Sequence, residues 1–253
     1  CFTSLAPRLC IAAEKAASRV PKVKAARFRH LPVKGWYLRS LYEVPELRTF
    51  GDIDVLIRKE DRQRAHALML ARGYDVKTDW EPTYTYQRGT ELYELHTNLM
   101  DASLDDRSAL PAYFADAWRH ARLVSGRCFE PEAEFHFLYT LCHLAKHLYT
   151  GGAGLRMYLD AALFVHRCGK GMDWTAIRRE MEALKLGDFL DPVLTCCESW
   201  FGVTAPCDFR WTEAAGELLT YTLDADLFGK LRDKSVVQMR NRRENADSDG
   251  RAK

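Results

Sequence analysis

The sequence predicts an α+β protein, a small mixed-sheet domain followed by a helical-bundle domain. Three observations carry this. Residues 28–100 alternate extended and helical runs and then give successive strand patterns. Residues 109–228 are helical in periodicity almost throughout. The length of 253 residues, with 47% hydrophobic and 28% charged, suits an ordinary globular chain with one large or two small cores. The predicted divisions are 1–105 for the mixed-sheet part with an N-terminal helix, 106–239 for the helical part, and 240–253 for a polar, loose tail.

Residues 3–27 have an Ala/Lys/Arg-rich helical pattern interrupted at Pro7 and Pro21. "FRHLPVKG" (28–35) reads as a short strand ending in a glycine turn, and "WYLRSLYE" (36–43) as a helix stopped at Val44-Pro45. "DIDVLIR" (52–58) has the strongest strand signal in the chain. "KEDRQRAHALMLARGY" (59–74) follows as an amphipathic helix with Gly73 as its cap. "YDVKTD", "YTYQRG" and "ELYELHTNL" complete the sheet. "LPAYFADAWRHARLV" then opens the helical half, which continues through "EAEFHFLYTLCHLAKHLY", "LRMYLDAALFVHRC", "WTAIRREMEALKL", "GDFLDPVLTCCESWFG" and "WTEAAGELLTYTLDADLFG".

Net charge is +2, so no strong field draws the chain to nucleic acid or to a membrane surface, although a local patch could still hold a small polyanion. No apolar run approaches the roughly 18 residues of a membrane span. Eight scattered cysteines, with Cys196 and Cys197 adjacent, make no disulfide framework. They read as small buried hydrophobes, and the expected compartment is the reducing cytoplasm. The first residue is Cys1, so its beginning says little about a leader.

The chemistry centres on "RTFGDIDVLIRK" (48–59). Strand side chains alternate, so Asp52 and Asp54 point the same way, and a half-buried carboxylate pair needs a positive partner. One or two Mg²⁺ ions would serve, leaving coordination places for substrate phosphates. The same D-x-D pattern also occurs on exposed strand ends. In "LYELHTNL", Glu94 and His96 share a face, and Glu94 offers a third carboxylate. A half-solvated strand would read the same way. In "VKGW", Gly35 lets backbone N–H groups approach a phosphate and Lys34 adds charge. Arg48 could reach the same phosphates or lie on the surface.

His143 and His147 share one helical face, with His136 near the same stripe, but Leu144 stands where a zinc hydrolase would carry its glutamate. Trp36, Tyr37, Tyr84, Tyr86 and Trp118 could stack on a base or fill the core. No GxxxxGK[ST], GxGxxG or GxSxG occurs, which disfavours P-loop kinases, Rossmann dehydrogenases and triad hydrolases.

Taken together, "LPVKGWYLRSLYEVPELRTFGDIDVLI", "GY" and "ELHTNL" followed by a helical half resemble the polymerase-β-like nucleotidyltransferase superfamily. In particular they are similar to its bacterial branch, nucleotidyltransferase family 5. "CHLAKH", Arg156 in "GLRMY" and Asp160 in "YLDAALF" extend the resemblance over roughly residues 20–230. Two features depart from the superfamily pattern: Lys34-Gly35-Trp36 replaces a glycine-serine turn, and Glu94 stands where aspartate is commoner.

The resemblance implies a Mg²⁺-dependent transfer of NMP from an NTP, the ATP-binding type included, to a hydroxyl of an unknown small molecule or protein, with pyrophosphate released. It implies two ions held by Asp52, Asp54 and Glu94. It also implies nucleotide-binding roles for Lys34, Gly35, Arg48, His96, His147, Arg156 and Asp160. The alternatives are a catalytically degenerate nucleotide-binding module and a sugar-nucleotide-dependent glycosyltransferase, whose metal is also held by D-x-D.

Overall fold

Ile53, Val55 and Ile57 are β-branched and favour extended backbone, and the strand they form lies inside a seven-stranded sheet. The structure, a computed structural model, describes residues 28–49, 51–100, 109–150 and 152–224. The N-terminal helix expected at 3–27, the boundary near 101–108 and the polar tail lie outside the described residues.

In chain order the strands are β1 (His30–Pro32), β2 (Ile53–Ile57), β3 (Asp75–Trp80), β4 (Thr83–Arg88), β5 (Glu91–His96), β6 (Ala121–Ser125) and β7 (Cys128–Pro131). The sheet order is β3-β4-β5-β2-β1-β7-β6. β2 pairs antiparallel with β1 and parallel with β5, so the sheet is mixed, as expected.

The short helix α1 (Lys34–Leu38) follows β1 directly, and two 3₁₀ turns connect it to β2. α2 (Arg62–Ala71) crosses from β2 to β3. Its end is a Schellman motif: Gly73 takes φ +74, and the Tyr74 N–H donates to the Met69 carbonyl at 3.1 Å. Ala65 and Met69 of this helix pack with Val55, Ile57, Tyr86, Tyr93 and Leu95 on one face of the sheet.

The run 110–124, expected to be helical, departs from that expectation. α3 (Leu110–Ala115) is a single short piece, and β6 and β7 follow as an antiparallel hairpin. Gly126, with φ +57, makes the turn. β7 continues the sheet by pairing parallel with β1, at His30 and Cys128. These strands gain stability from long-range pairing, which local periodicity does not carry.

The remaining elements are helical: α4 (Ala133–Thr150), α5 (Leu155–Cys168), α6 (Trp174–Ala183), α7 (Gly187–Phe201) and α8 (Ala214–Asp224). The chain divides into two compact units, 1–136 and 137–253, so the division falls within α4. In the second unit α7 packs against α5, α6 and α8. Phe137 meets Phe164 and Trp174 with ring centroids 5.4 and 5.6 Å apart. Asp173 caps α6 by accepting from the Ala176 N–H at 2.9 Å. Among the described residues no helix is long and apolar enough to cross a membrane.

Candidate functional site

Register builds the site. Asp54 of β2 lies directly opposite Glu94 of the parallel strand β5, and Leu56 lies opposite His96. Alternation sends Val55, Ile57, Tyr93 and Leu95 into the core under α2, and so turns Asp54, Glu94 and His96 to the other face. β4 extends that face, because Thr85 pairs with Glu94 and Thr83 with His96.

On the far side of β2, the Val33 N–H donates to the Asp54 carbonyl at 3.1 Å, one step beyond the β1–β2 ladder. The next residue, Lys34, turns the chain with φ +48, a left-handed conformation that a side-chain-bearing residue adopts at a cost. Its ammonium reaches the Asp54 carboxylate, Nζ to Oδ1, at 2.6 Å. The same oxygen meets His96 Nε2 at 2.8 Å. His96 Nε2 also lies 3.6 Å from Glu94 Oε2, and its Nδ1 lies 3.1 Å from Thr83 Oγ1.

Asp54 and His96 are buried, with side chains 2% and 6% exposed, whereas Glu94 keeps 27%. Burial would push the Asp54 carboxyl up, but the Lys34 ammonium and the hydrogen bond from His96 outweigh it and hold it well below the usual range. Burial pushes Asp52 up, and the Asp54 charge adds to it. Burial and then Asp54 push Glu94 up in the same way. The cluster thus has one firmly ionised carboxylate flanked by two that resist ionisation.

Asp54, Glu94 and His96 each offer a ligand atom, all within 4.8 Å of one another, and they are the group of this kind among the described residues. Two carboxylates in direct cross-strand register repel unless a cation lies between them. Their oxygens are the hard donors that Mg²⁺ favours, and the His96 nitrogen adds a softer one. The donor chemistry therefore fits a divalent cation.

Asp52 lies at the mouth of β2, outside the strand, and is linked to Asp54 by charge rather than as a member of that ligand group. Gly35 is buried in α1 beside Lys34, and Arg48 is buried in the connection leading to β2. His147, Arg156 and Asp160 belong to the second unit. His147 and His143 form a ring pair on α4 at 4.5 Å, while Arg156 and the buried Asp160 are one turn apart on α5.

His136 is fully buried, and burial alone lowers its pKa to about 3. The aromatic side chains singled out in the sequence all have packing partners. Tyr86 is in the core, with Trp36 and Tyr84 packed against that core. Tyr37 lies on His136 and Trp118 on Phe129.

Two features were missed by sequence reasoning. Lys34 faces the Asp54 carboxylate, which follows from the β1–β2 register. Thr83 meets His96, and the alternation in "TYTYQR" signals it by setting Thr83 and Thr85 on the face opposite Tyr84 and Tyr86.

No curated protein matches the chain. The crystal structure of ANT(2'')-Ia in complex with adenylyl-2''-tobramycin is similar at 14% identity, covering 68% of this chain and 97% of that one, with a TM-score of 0.48. The solution structure of the antibiotic-resistance factor ANT(2'')-Ia is similar at 16% identity, covering 75% and 100%, with a TM-score of 0.44. An antigenic nucleotidyltransferase-like protein from Paracoccidioides brasiliensis is similar at 12% identity, covering 78% and 94%, with a TM-score of 0.39. The model of a family described as uncharacterised nucleotidyltransferase matches residues 20–202, well over half of the chain and inclusive of Lys34, Asp54, Glu94 and His96. The chain belongs to that family of nucleotidyltransferases.

Proposed function

We propose that the protein transfers NMP from an NTP to a hydroxyl of a small-molecule or protein acceptor, with Mg²⁺ bound and pyrophosphate released. The observation that carries this is the cross-strand pair Asp54–Glu94, converging with Lys34 and His96 on one face of the sheet. Asp54 and Glu94 would hold the metal, with Asp52 at the rim taking part in holding a second ion. Bound there, the metal would neutralise phosphate charge and acidify the acceptor hydroxyl.

The chain's own residues would do the rest. Lys34, Gly35 and Arg48 would bind the phosphates, and His96 would keep Asp54 oriented. Glu94, the most open of the three ligands, would face the acceptor. The acceptor hydroxyl would release its proton to solvent, its oxygen would form a bond to the α-phosphorus as the bond to the bridging oxygen breaks, and that bond's electron pair would leave with pyrophosphate. Positioning and charge neutralisation supply most of the catalysis in such a transfer. His147, Arg156 and Asp160 are assigned to nucleotide or acceptor binding. The described cysteines, all without disulfides, support a reducing compartment.

Lys34 on Asp54 favours one second reading, a module that binds nucleotide without transferring it. Pyrophosphate release separates the two. Each of the four NTPs, with Mg²⁺ and a panel of polyols, aminosugars and hydroxyl-bearing peptides, should include one combination that releases pyrophosphate in wild type and not in Asp54→Asn. Binding without release across the panel would favour the second reading.

A further inference from the structure

His96 has two ring nitrogens and two different neighbours. Nε2 meets Asp54 Oδ1 at 2.8 Å, and Nδ1 meets Thr83 Oγ1 at 3.1 Å. A neutral imidazole has one N–H and one lone pair, while an ionised carboxylate only accepts. Facing Asp54, the proton must therefore be on Nε2, and Nδ1 needs a donor. The Thr83 hydroxyl is that donor.

The same ring can instead turn the Nε2 lone pair toward a cation gathered by Asp54 and Glu94, its other neighbour at 3.6 Å. The proton must then be on Nδ1, which needs an acceptor. A hydroxyl can serve in either role, simply by rotating about its C–O bond. Valine in its place would leave a buried ring nitrogen without a partner in both states.

Thr83 is also held in place. It is the first residue of β4 and pairs with His96 in the ladder. The preceding Pro82 carbonyl accepts from the Thr97 N–H at 2.9 Å, which fastens this end of the hairpin to the end of β5. His96 itself is buried, so its partners are fixed by the fold rather than chosen from solvent.

We infer that Thr83 is a positioning residue whose hydroxyl partners His96 Nδ1 in both tautomers, and so lets Nε2 either hold Asp54 or support a divalent cation beside it. This rests on the proposed metal at Asp54 and Glu94. Partners of this kind, one step behind a metal ligand, typically change metal affinity 10–100-fold when removed.

The test uses the full chain with Mn²⁺ alone as the binding probe and ¹⁵N spectra of the His96 ring, recorded with and without Mg²⁺, as the tautomer probe. Wild type should carry the ring proton on Nε2 without the cation and on Nδ1 with it, a measurement that needs no variant. Thr83→Val should bind Mn²⁺ about 10–100-fold more weakly, while Thr83→Ser restores near wild-type affinity. A Thr83→Val chain that binds Mn²⁺ as tightly as wild type, or a ring proton that stays on one nitrogen when Mg²⁺ binds, would overturn the inference alone. A wild type that binds neither Mn²⁺ nor the Mn²⁺ complex of any of the four NTPs would overturn the transfer reading, and this inference with it.

Discussion

The two faces of β2 and β5 are built from the same two strands and obey opposite rules. On one, Val55, Ile57, Tyr93 and Leu95 close over Ala65 and Met69 in a dry core. On the other, Asp54 faces Glu94 across a parallel pair, a placement that repels. Strand alternation allows this, because each face is a separate set of residues. The apolar face holds the sheet rigid, and the polar face uses that rigidity to keep like charges within reach of one another. Two carboxylates in register on a rigid support, one of them paired with Lys34 and His96, form a preorganised cluster whose donors suit a cation.

The contrast can be broken first from the apolar side. Ile57→Ala should cost about 2–5 kcal/mol by denaturant unfolding, since Ile57 is fully buried. Nucleotide binding by the folded fraction should be unchanged. Weakened nucleotide binding at equal foldedness would mean that the faces are not separable.

Lys34→Met attacks the polar face where it is best compensated. It should destabilise by about 1.5–3 kcal/mol at pH 7, the range for a hydrogen bond to a charged group. Asp54 is held ionised mainly against its burial, with Lys34 the largest opposing influence. Its contribution to wild-type stability is therefore present above the unfolded carboxyl value, about 4, and is lost as pH falls through the lower folded value. Without Lys34, burial pushes the carboxyl up, and protonation on acidification relieves the variant. The gap between wild type and variant should shrink as pH falls below neutrality. A gap that is constant with pH would remove Lys34 as the cause.

Glu94→Gln should have the opposite sign. Burial and Asp54 already push the Glu94 carboxyl up, so its ionisation costs stability as pH rises through the acid range. The neutral amide should unfold about 2–4 °C higher at pH 7, the shift for roughly 1 kcal/mol in a chain of this size, while transfer is lost. An unchanged or lower melting temperature would show that Glu94 is already compensated.

The smallest effect belongs away from both faces. Arg122 pairs with Glu130 at 3.0 Å on the β6–β7 hairpin, with its side chain 54% exposed. Arg122→Ala should change stability by less than about 1 kcal/mol and leave nucleotide binding alone.

Much of this contrast was legible in the sequence. The D-x-D alternation against Val55 and Ile57 marked β2 as two-faced, and "ELHTNL" placed Glu94 and His96 together. The helical run "LRMYLDAALFVHRC" matches α5 end to end, because a 3.6-residue period repeats within the element itself. What escaped depends on pairing between distant segments. β7 joins β1, about a hundred residues away in sequence, and β6 joins β7, so most of β6 reads locally as part of the helical run "LPAYFADAWRHARLV". Lys34 meets Asp54 through the β1–β2 register, and Thr83 meets His96 across a hairpin. Neither contact has a local signature stronger than a turn glycine or an alternating threonine.

The most direct measurement is thermal unfolding of wild type and Asp54→Ala with each of the four NTPs, with and without Mg²⁺. A ligand that binds only the folded chain adds about 2.7 kcal/mol of stability at a hundredfold excess over Kd. The polar face as a metal–nucleotide site predicts a Mg²⁺-dependent rise with at least one NTP in wild type and none in Asp54→Ala. A rise that survives in Asp54→Ala, or no rise with any NTP in wild type, would contradict it.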